Sequence, residues 1–457
     1  MLRPVILRLV RNLIRVSLNV EHAPPSQRKI LLQRELMSLA IIKAIERCVA
    51  RRIVSRRVAD KVTRLWTRAL FTAADQRPAL NRFRERYHRD PPWFITISPG
   101  RACNLRCKGC YADSGEAQTR LRWSLLNRII NEAKYLWGVR LVVFSGGEPL
   151  AYRSEGKDIL DIVEMHPDLL FLMFTNGTLV DERTTSRLGN LGNLTPAFSV
   201  EGMRFHTDER RGMGVFDSVI DAMARMRRAG VPFGISVTVT RRNLQEVLSD
   251  DFLDFFFDAQ GAFYSFFFQY MPIGRHPSFE HMPTPAERVT FWRRVWEVVE
   301  RRQLFLIDFW NHGPLVKGCI SAGRGGGYIY IDWSGNVMPC VFLPYSVGNI
   351  HDVYGRGGNL NDIWEAPFLE TIRKWQDGYG YARQEPAKDA DWLRACPIRD
   401  HYSLFRKWVE QYHPQPQDDR ANHALTDAEY FQRLCEYETE LYEVFGEIWE
   451  RDYCSGR

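Results

Sequence analysis

Between Pro91 and Tyr270, six short apolar runs alternate with stretches of helical periodicity, and this alternation constrains the fold more than any other feature of the chain. The runs are WFITIS (93–98), RLVVFS (140–145), LLFLMFT (169–175), PAFSV (196–200), FGISVTVT (233–240) and AFYSFFFQY (262–270). Each has the length and the β-branched or aromatic content of a buried strand. The segment LLNRIINEAKYLW (125–137) carries the 3.6-residue period of a helix. Strands and helices in strict alternation build parallel βα units. Six units are too few to close an eight-stranded barrel, so the expected fold is α/β, a partial (β/α)6 TIM-like barrel. In such folds chemistry gathers at the C-terminal ends of the strands.

Just past the first run lies CNLRCKGCYA, with Cys103, Cys107 and Cys110 inside eight residues. Nine cysteines over 457 residues, odd in number and without framework spacing, speak against disulfides and for a reducing, cytoplasmic setting. A zinc site usually takes four ligands in two pairs, and no further Cys or His lies close in sequence. Three thiolates suit a [4Fe–4S] cluster, which normally takes four. With three, one iron keeps an open position for a cofactor or substrate.

The spacing Cys-x3-Cys-x2-Cys, after a first strand, resembles the radical S-adenosylmethionine (SAM) superfamily. Three further matches follow in order: SGGEP (145–149), FTNGTLV (174–180) and FSVEG (198–202). The resemblance implies that Cys103, Cys107 and Cys110 hold the cluster and that Gly146, Gly147 and Glu148 meet the amino group of SAM. It places Asn176, Ser199 and Glu201 around the rest of the cofactor, with Ser236 and Arg211 as candidates for its carboxylate. Glu201 stands where relatives often have aspartate. Relatives also often carry an aromatic residue before the third cysteine, against the adenine; this chain has Gly109 there, with Tyr111 after. The implied reaction is reductive cleavage of SAM to a 5′-deoxyadenosyl radical, which takes hydrogen from an unactivated C–H bond, with a flavodoxin or ferredoxin as reductant.

A second set, Cys319, Cys340 and Cys396, resembles the opening of a SPASM or shorter twitch extension, and implies one auxiliary Fe–S cluster. YMPIGR (270–275) and DIWEAPFLETIR (362–373) match stretches that accompany such extensions. Cys48 and Cys435 read as packed thiols, while Cys435 and Cys454 remain candidates for a fourth ligand. Asp308 and His312 stand ahead of this segment, where they could line a substrate pocket, with structural roles favoured. The chain divides into a basic helical region at 1–88, a radical SAM core at 89–303 and a SPASM/twitch-like domain with a terminal helix at 304–457.

Charge adds one more expectation. Residues 1–90 carry 21 Lys/Arg against 7 Asp/Glu, whereas the remainder is net acidic. In the first twenty residues Arg8, Arg11 and Arg15 share one helical face against Val5, Ile6, Leu9, Val10, Leu13 and Ile14. That pattern suits an interfacial helix on an anionic membrane surface, or a cap on the protein's own body. The same arginines argue against a cleavable signal peptide. Aromatic residues are sparse among these basic ones, which disfavours nucleic acid as a partner. The expected substrate is apolar or membrane-associated, with a peptide maturase as the alternative and an Fe–S electron carrier as the reading outside the enzymes.

Overall fold

A computed structural model describes residues 23–71 and 76–455, without the side chains of Pro25 and residues 66–71. The basic segment expected to lie on a membrane, residues 1–20, is outside the described residues. Helices α1 (Pro25–Ala50), α2 (Arg56–Phe71) and α3 (Arg77–Tyr87) precede the first strand. Proline near the start of α1 and α3 presets the first turn.

The six expected strands form as β1 (Phe94–Ile97), β2 (Leu141–Phe144), β3 (Leu170–Thr175), β4 (Leu194–Val200), β5 (Gly234–Val239) and β6 (Ser265–Gln269). They pair in parallel, each beside its neighbour in sequence. The crossovers run through α4 (Trp123–Trp137), α5 (Ile159–Met165), α6 (Glu182–Leu191), α7 (Arg204–Arg211) and α8 (Val215–Ala229). Strand alternation decides the layers. Ile95, Val142, Phe144, Phe171, Met173, Phe198 and Ile235 point to the helices and join the main core. Val143, Leu172, Ala197 and Tyr264 point inward and form a separate core that fills the bottom of the barrel.

Two short strands lengthen this parallel run. After α9 (Pro285–Arg302), which starts with a Thr284/Glu287 capping box, β7 (Leu306–Asp308) adds beside β6. On the other side β8 (Tyr328–Ile331) pairs in parallel with β1. β9 (Asn336–Met338) and β10 (Gly348–Asn349) continue antiparallel beyond it. The sheet is open, with ten strands in the order β10-β9-β8-β1-β2-β3-β4-β5-β6-β7. The β8–β9 hairpin of the C-terminal extension is therefore also the continuation of the barrel wall next to β1.

The remaining helices include α10 (Pro367–Gln376), α11 (Tyr402–Tyr412) and α12 (Ala428–Trp449). The final helix starts one residue later than a Thr426 cap would have it. Asp427 caps it by accepting from the Tyr430 amide, and Thr426 closes a preceding short helix.

Candidate functional site

The cysteine loop leaves β1 at the mouth of the barrel and is gripped from outside by two arginines. Arg275 donates through Nη1 to the Cys107 carbonyl at 2.9 Å, through Nη2 to that of Ser114, and through Nε to Asp113 at 2.9 Å. Its own backbone amide donates to the Cys110 carbonyl. From the other side Arg210, at the end of α7, donates to the carbonyls of Lys108 (3.1 Å) and Gly109 (3.2 Å). Five loop carbonyls are thereby satisfied by protein, which fixes the course of a loop that has no regular structure to do so. Sequence reading matched Arg275 inside YMPIGR without giving it a task, and missed Arg210 altogether.

The SGGEP turn at the end of β2 packs against the start of this loop. The amide of Gly147 donates to the Gly100 carbonyl and that of Glu148 to the Ala102 carbonyl at 2.8 Å. A Cβ at Gly147 would overlap the Ala102 carbonyl, so this close approach of two backbones needs glycine. Gly146 donates its amide to the Tyr111 hydroxyl at 3.0 Å, and that hydroxyl also meets Ser145 at 2.6 Å. Tyr111 thus ties the cysteine loop to the glycine turn. Gly109 has φ +61°, and a Cβ there would touch the ring of Tyr270. Tyr270 puts an aromatic ring beside the position where relatives carry their own aromatic.

Glu148 is buried, and its carboxylate accepts from the Thr175 hydroxyl (2.7 Å), the Leu150 amide (3.0 Å) and the Asn176 amide (2.8 Å). Burial raises its pKa, opposed by those hydrogen bonds. The acid therefore fixes the end of β3, with three of its roughly four acceptor positions in use. Asn176 in turn reaches the Cys103 sulfur at 3.7 Å and Asn104 at 2.9 Å.

Glu201 is held by partners from two elements. It is buried and accepts from Arg210 at 2.6 Å and Arg211 at 2.8 Å, while its other oxygen accepts from the Thr238 amide. It holds both arginines in place and so is committed to protein partners. Arg211 is half-buried; desolvation lowers its pKa, but Glu201 and the nearby Cys107 and Cys110 thiols raise it more. One layer further into the barrel, Ser199 and Ser236 stand with their hydroxyls 3.3 Å apart. The residues from β1 to β4 therefore converge on one site, with the serine pair below it.

Whether this site fits an iron–sulfur cluster can be judged from the donors. All nine cysteines are free, and the three of the loop are partly exposed. Burial pushes the Cys103 thiol up to about 12, so a thiolate at that position needs a cation beside it. Among the described residues no group of three or more His, Cys, Asp or Glu converges on a single-ion site. Thiolates that each bind a different iron of one cluster do not need to converge in that way. The donor set fits.

The second set also comes together. Backbone bonds Ala322 to Pro339 and Tyr328 to Ile320 bring the two ends of the β8–β9 hairpin side by side, and Cys319 and Cys340 with them. Cys396 is close enough to feel both charges. Cys435 and Cys454 have other electrostatic neighbours, Glu438 and Arg406 for the first, Asp391 and Glu450 for the second. Asp308 and His312 are both buried: Asp308 accepts from the Asn311 amide, and the His312 ring lies 5.0 Å from that of Trp296.

Burial holds the His312 ring neutral, its pKa pushed down from 6.5 to about 3. The unfolded chain binds this proton more readily than the folded one, so stability declines as pH falls through about 6.5 and keeps declining toward 3. We expect a loss of at most ~2 kcal/mol from this group at pH 5. Urea titrations of wild type and His312→Phe at pH 7 and 5 check it; an equal pH dependence in both would remove His312 as the source.

An open parallel barrel with a three-thiol loop over its C-terminal rim defines an iron–sulfur enzyme of the radical SAM class. Residues 97–252 match the radical SAM superfamily model, and residues 319–396 match that of an iron–sulfur cluster-binding domain, SPASM. The chain belongs to the radical SAM superfamily, is an enzyme, and carries a SPASM-type extension; its cofactors are a [4Fe–4S] cluster, SAM and an auxiliary iron–sulfur cluster. It is 29% identical to an AdoMet-dependent heme synthase of Methanosarcina barkeri over 62% of this chain and 84% of that protein. It is 28% identical to the mycofactocin maturase MftC of Mycobacterium ulcerans over 63% and 78%. A similar solved structure is Streptococcus suis SuiB bound to precursor peptide SuiA, with TM-score 0.56, 17% identity, and coverage of 76% of this chain and 79% of that one.

Proposed function

We propose that the protein takes hydrogen from an unactivated C–H bond of an apolar, membrane-associated substrate. The observation that carries this reading is an aromatic wall inside the barrel. Phe174, Phe266 and Phe268 pack at 5.5 to 5.8 Å, and Phe268 continues to Phe309 at 5.1 Å and Phe342 at 5.7 Å. Four of these rings, Phe174, Phe266, Phe268 and Phe309, stay partly exposed although they lie inside the fold. Such a surface suits a hydrocarbon body rather than a charged one.

The cluster and SAM together supply one-electron chemistry strong enough to attack such a bond. The chain's own residues do the positioning. Arg210 and Arg275 fix the loop, Glu148 fixes Asn176 beside Cys103, and Arg211 brings a half-buried positive charge to the thiols. The aromatic wall excludes water from the reacting carbon.

Access from a membrane is supported by α1, where Ile41, Ile45 and Val49 are 36%, 50% and 58% exposed. Spaced by four, they lie on one helical face, within a sequence region rich in Lys and Arg. No helix among the described residues is long and apolar enough to cross a membrane. We expect the protein to float with phosphatidylglycerol vesicles and not with phosphatidylcholine, and Ile45→Asp/Val49→Asp to weaken flotation severalfold. Equal flotation of the variant would remove α1 from the contact.

The substrate class is tested with a detergent-solubilised membrane lipid extract. It should stimulate release of 5′-deoxyadenosine, and Phe268→Ser should reduce that stimulation about tenfold or more, since burying such a ring carries a few kcal/mol. Stimulation by an aqueous peptide fraction alone would instead favour a peptide maturase. One observation supports that second reading: a cavity of about 490 Å³ beside Tyr111, lined by His276, Arg420, Asp427 and Arg433 among others. Its mixed charge suits a peptide better than a hydrocarbon.

A further inference from the structure

We propose that Tyr328 sets the reduction potential of the auxiliary cluster by donating a hydrogen bond to the Cys340 thiolate. The inference rests on the auxiliary cluster being held by Cys319, Cys340 and Cys396, and not on the substrate reading above. The Tyr328 hydroxyl lies 3.1 Å from the Cys340 sulfur. A thiolate ligand can only accept, so the proton is on tyrosine.

The ring has little freedom to turn away. Tyr328 is 2% exposed. It pairs in register with Phe94 on β1, and the two rings stack at 4.8 Å and 18°. Two further donors serve the same set. The Phe342 amide points at Cys340 at 3.5 Å. The Cys319 thiol donates to the Ser321 hydroxyl oxygen at 3.1 Å, and once that thiol is deprotonated as a ligand the Ser321 hydroxyl becomes the donor. The guanidinium of Arg399 stands near Cys396.

A reduced cluster carries one more negative charge than an oxidised one, so every donor to its sulfurs favours reduction and raises the potential. The effect grows where water is excluded. At the loop site the sulfur contacts among the described residues are a backbone amide at 3.4 Å and the Asn176 side chain at 3.7 Å, both to Cys103. A buried phenol therefore distinguishes the second site from the first.

The test uses the reconstituted full chain with Cys103, Cys107 and Cys110 replaced by alanine, so that the auxiliary cluster is titrated alone by potentiometric EPR. Tyr328→Phe should lower its midpoint, by about 59 mV if the electron-transfer equilibrium shifts tenfold. Tyr330→Phe, on the same strand but bonded to Ser98 at 2.7 Å, should leave it in place. An unchanged midpoint in Tyr328→Phe with iron retained overturns the proposal. If that variant loses its iron, 3-fluorotyrosine at position 328 decides: the more acidic phenol donates more strongly, so a raised midpoint supports the tuning and an unchanged one overturns it. Absence of iron from the triple-alanine protein overturns the proposal as well, while leaving SAM cleavage by the wild type untouched.

Discussion

Cys107→Ala is expected to reduce 5′-deoxyadenosine release to background and to remove about four irons per chain, while the iron at the second site stays. Cys107 is the middle ligand of the loop, its carbonyl is held by Arg275, and the charge of Arg211 lies near enough to act on its thiol. Alanine removes a thiolate without disturbing those backbone contacts, so the fold should survive. Two thiolates cannot hold a cubane that already lacks a fourth protein ligand. Anaerobic reconstitution with SAM and dithionite reads the first effect, and iron analysis on the same sample reads the second. Release at the wild-type rate would mean that this loop is not where SAM is cleaved. Loss of product with iron unchanged would leave Cys107 outside the ligand set.

The parts of this site that local sequence could show are those whose chemistry needs particular residues at fixed spacing. Three cysteines, two glycines and an acid stand at the ends of β1 and β2 because a strand end fixes their positions. Glu148 was legible as a site acid, but two of its three donors, Thr175 and Asn176, come from the end of β3 and the turn after it, and no spacing in the chain records them. Glu201 shows the same limit more sharply. Its ion pairs with Arg210 and Arg211 depend on how α7 returns over the loop, and the sequence there reads as an ordinary polar helix. The strands were legible where they were long and apolar. β7 has three residues, and β8 reads equally well as half of a hairpin, which it also is. That β8 joins β1 in parallel is a long-range pairing, and it alone brings Tyr328 opposite Phe94.

The grip of Arg275 on the cysteine loop leads to the second large effect, a loss of SAM cleavage on the order of 100-fold in Arg275→Met, the scale set by a misplacement of about 1 Å. Methionine keeps the bulk and apolar stem of the side chain and deletes the three hydrogen bonds that bind the carbonyls of Cys107 and Ser114 and the carboxylate of Asp113. Asp113 keeps two of its three cations, Arg101 at 3.4 Å and Arg420 at 2.5 Å, so it is not stranded as a buried charge. The loss should therefore fall on the loop rather than on global stability. The carbonyls of Cys107 and Ser114, turned away from the barrel, would have to find water or another donor, and the thiols would turn with them. Arg275→Lys separates position from charge: a single ammonium can hold Asp113 but cannot span two carbonyls as well, because the guanidinium fork is what matches that geometry. It should recover less than a tenth of the lost rate. If the role is positioning, iron content stays near wild type in both variants while the EPR signal of the reduced loop cluster broadens and its response to added SAM weakens. Full activity in Arg275→Lys would show that only the charge beside Asp113 matters. An unchanged EPR response in Arg275→Met would mean that Arg210 alone is enough to hold the loop.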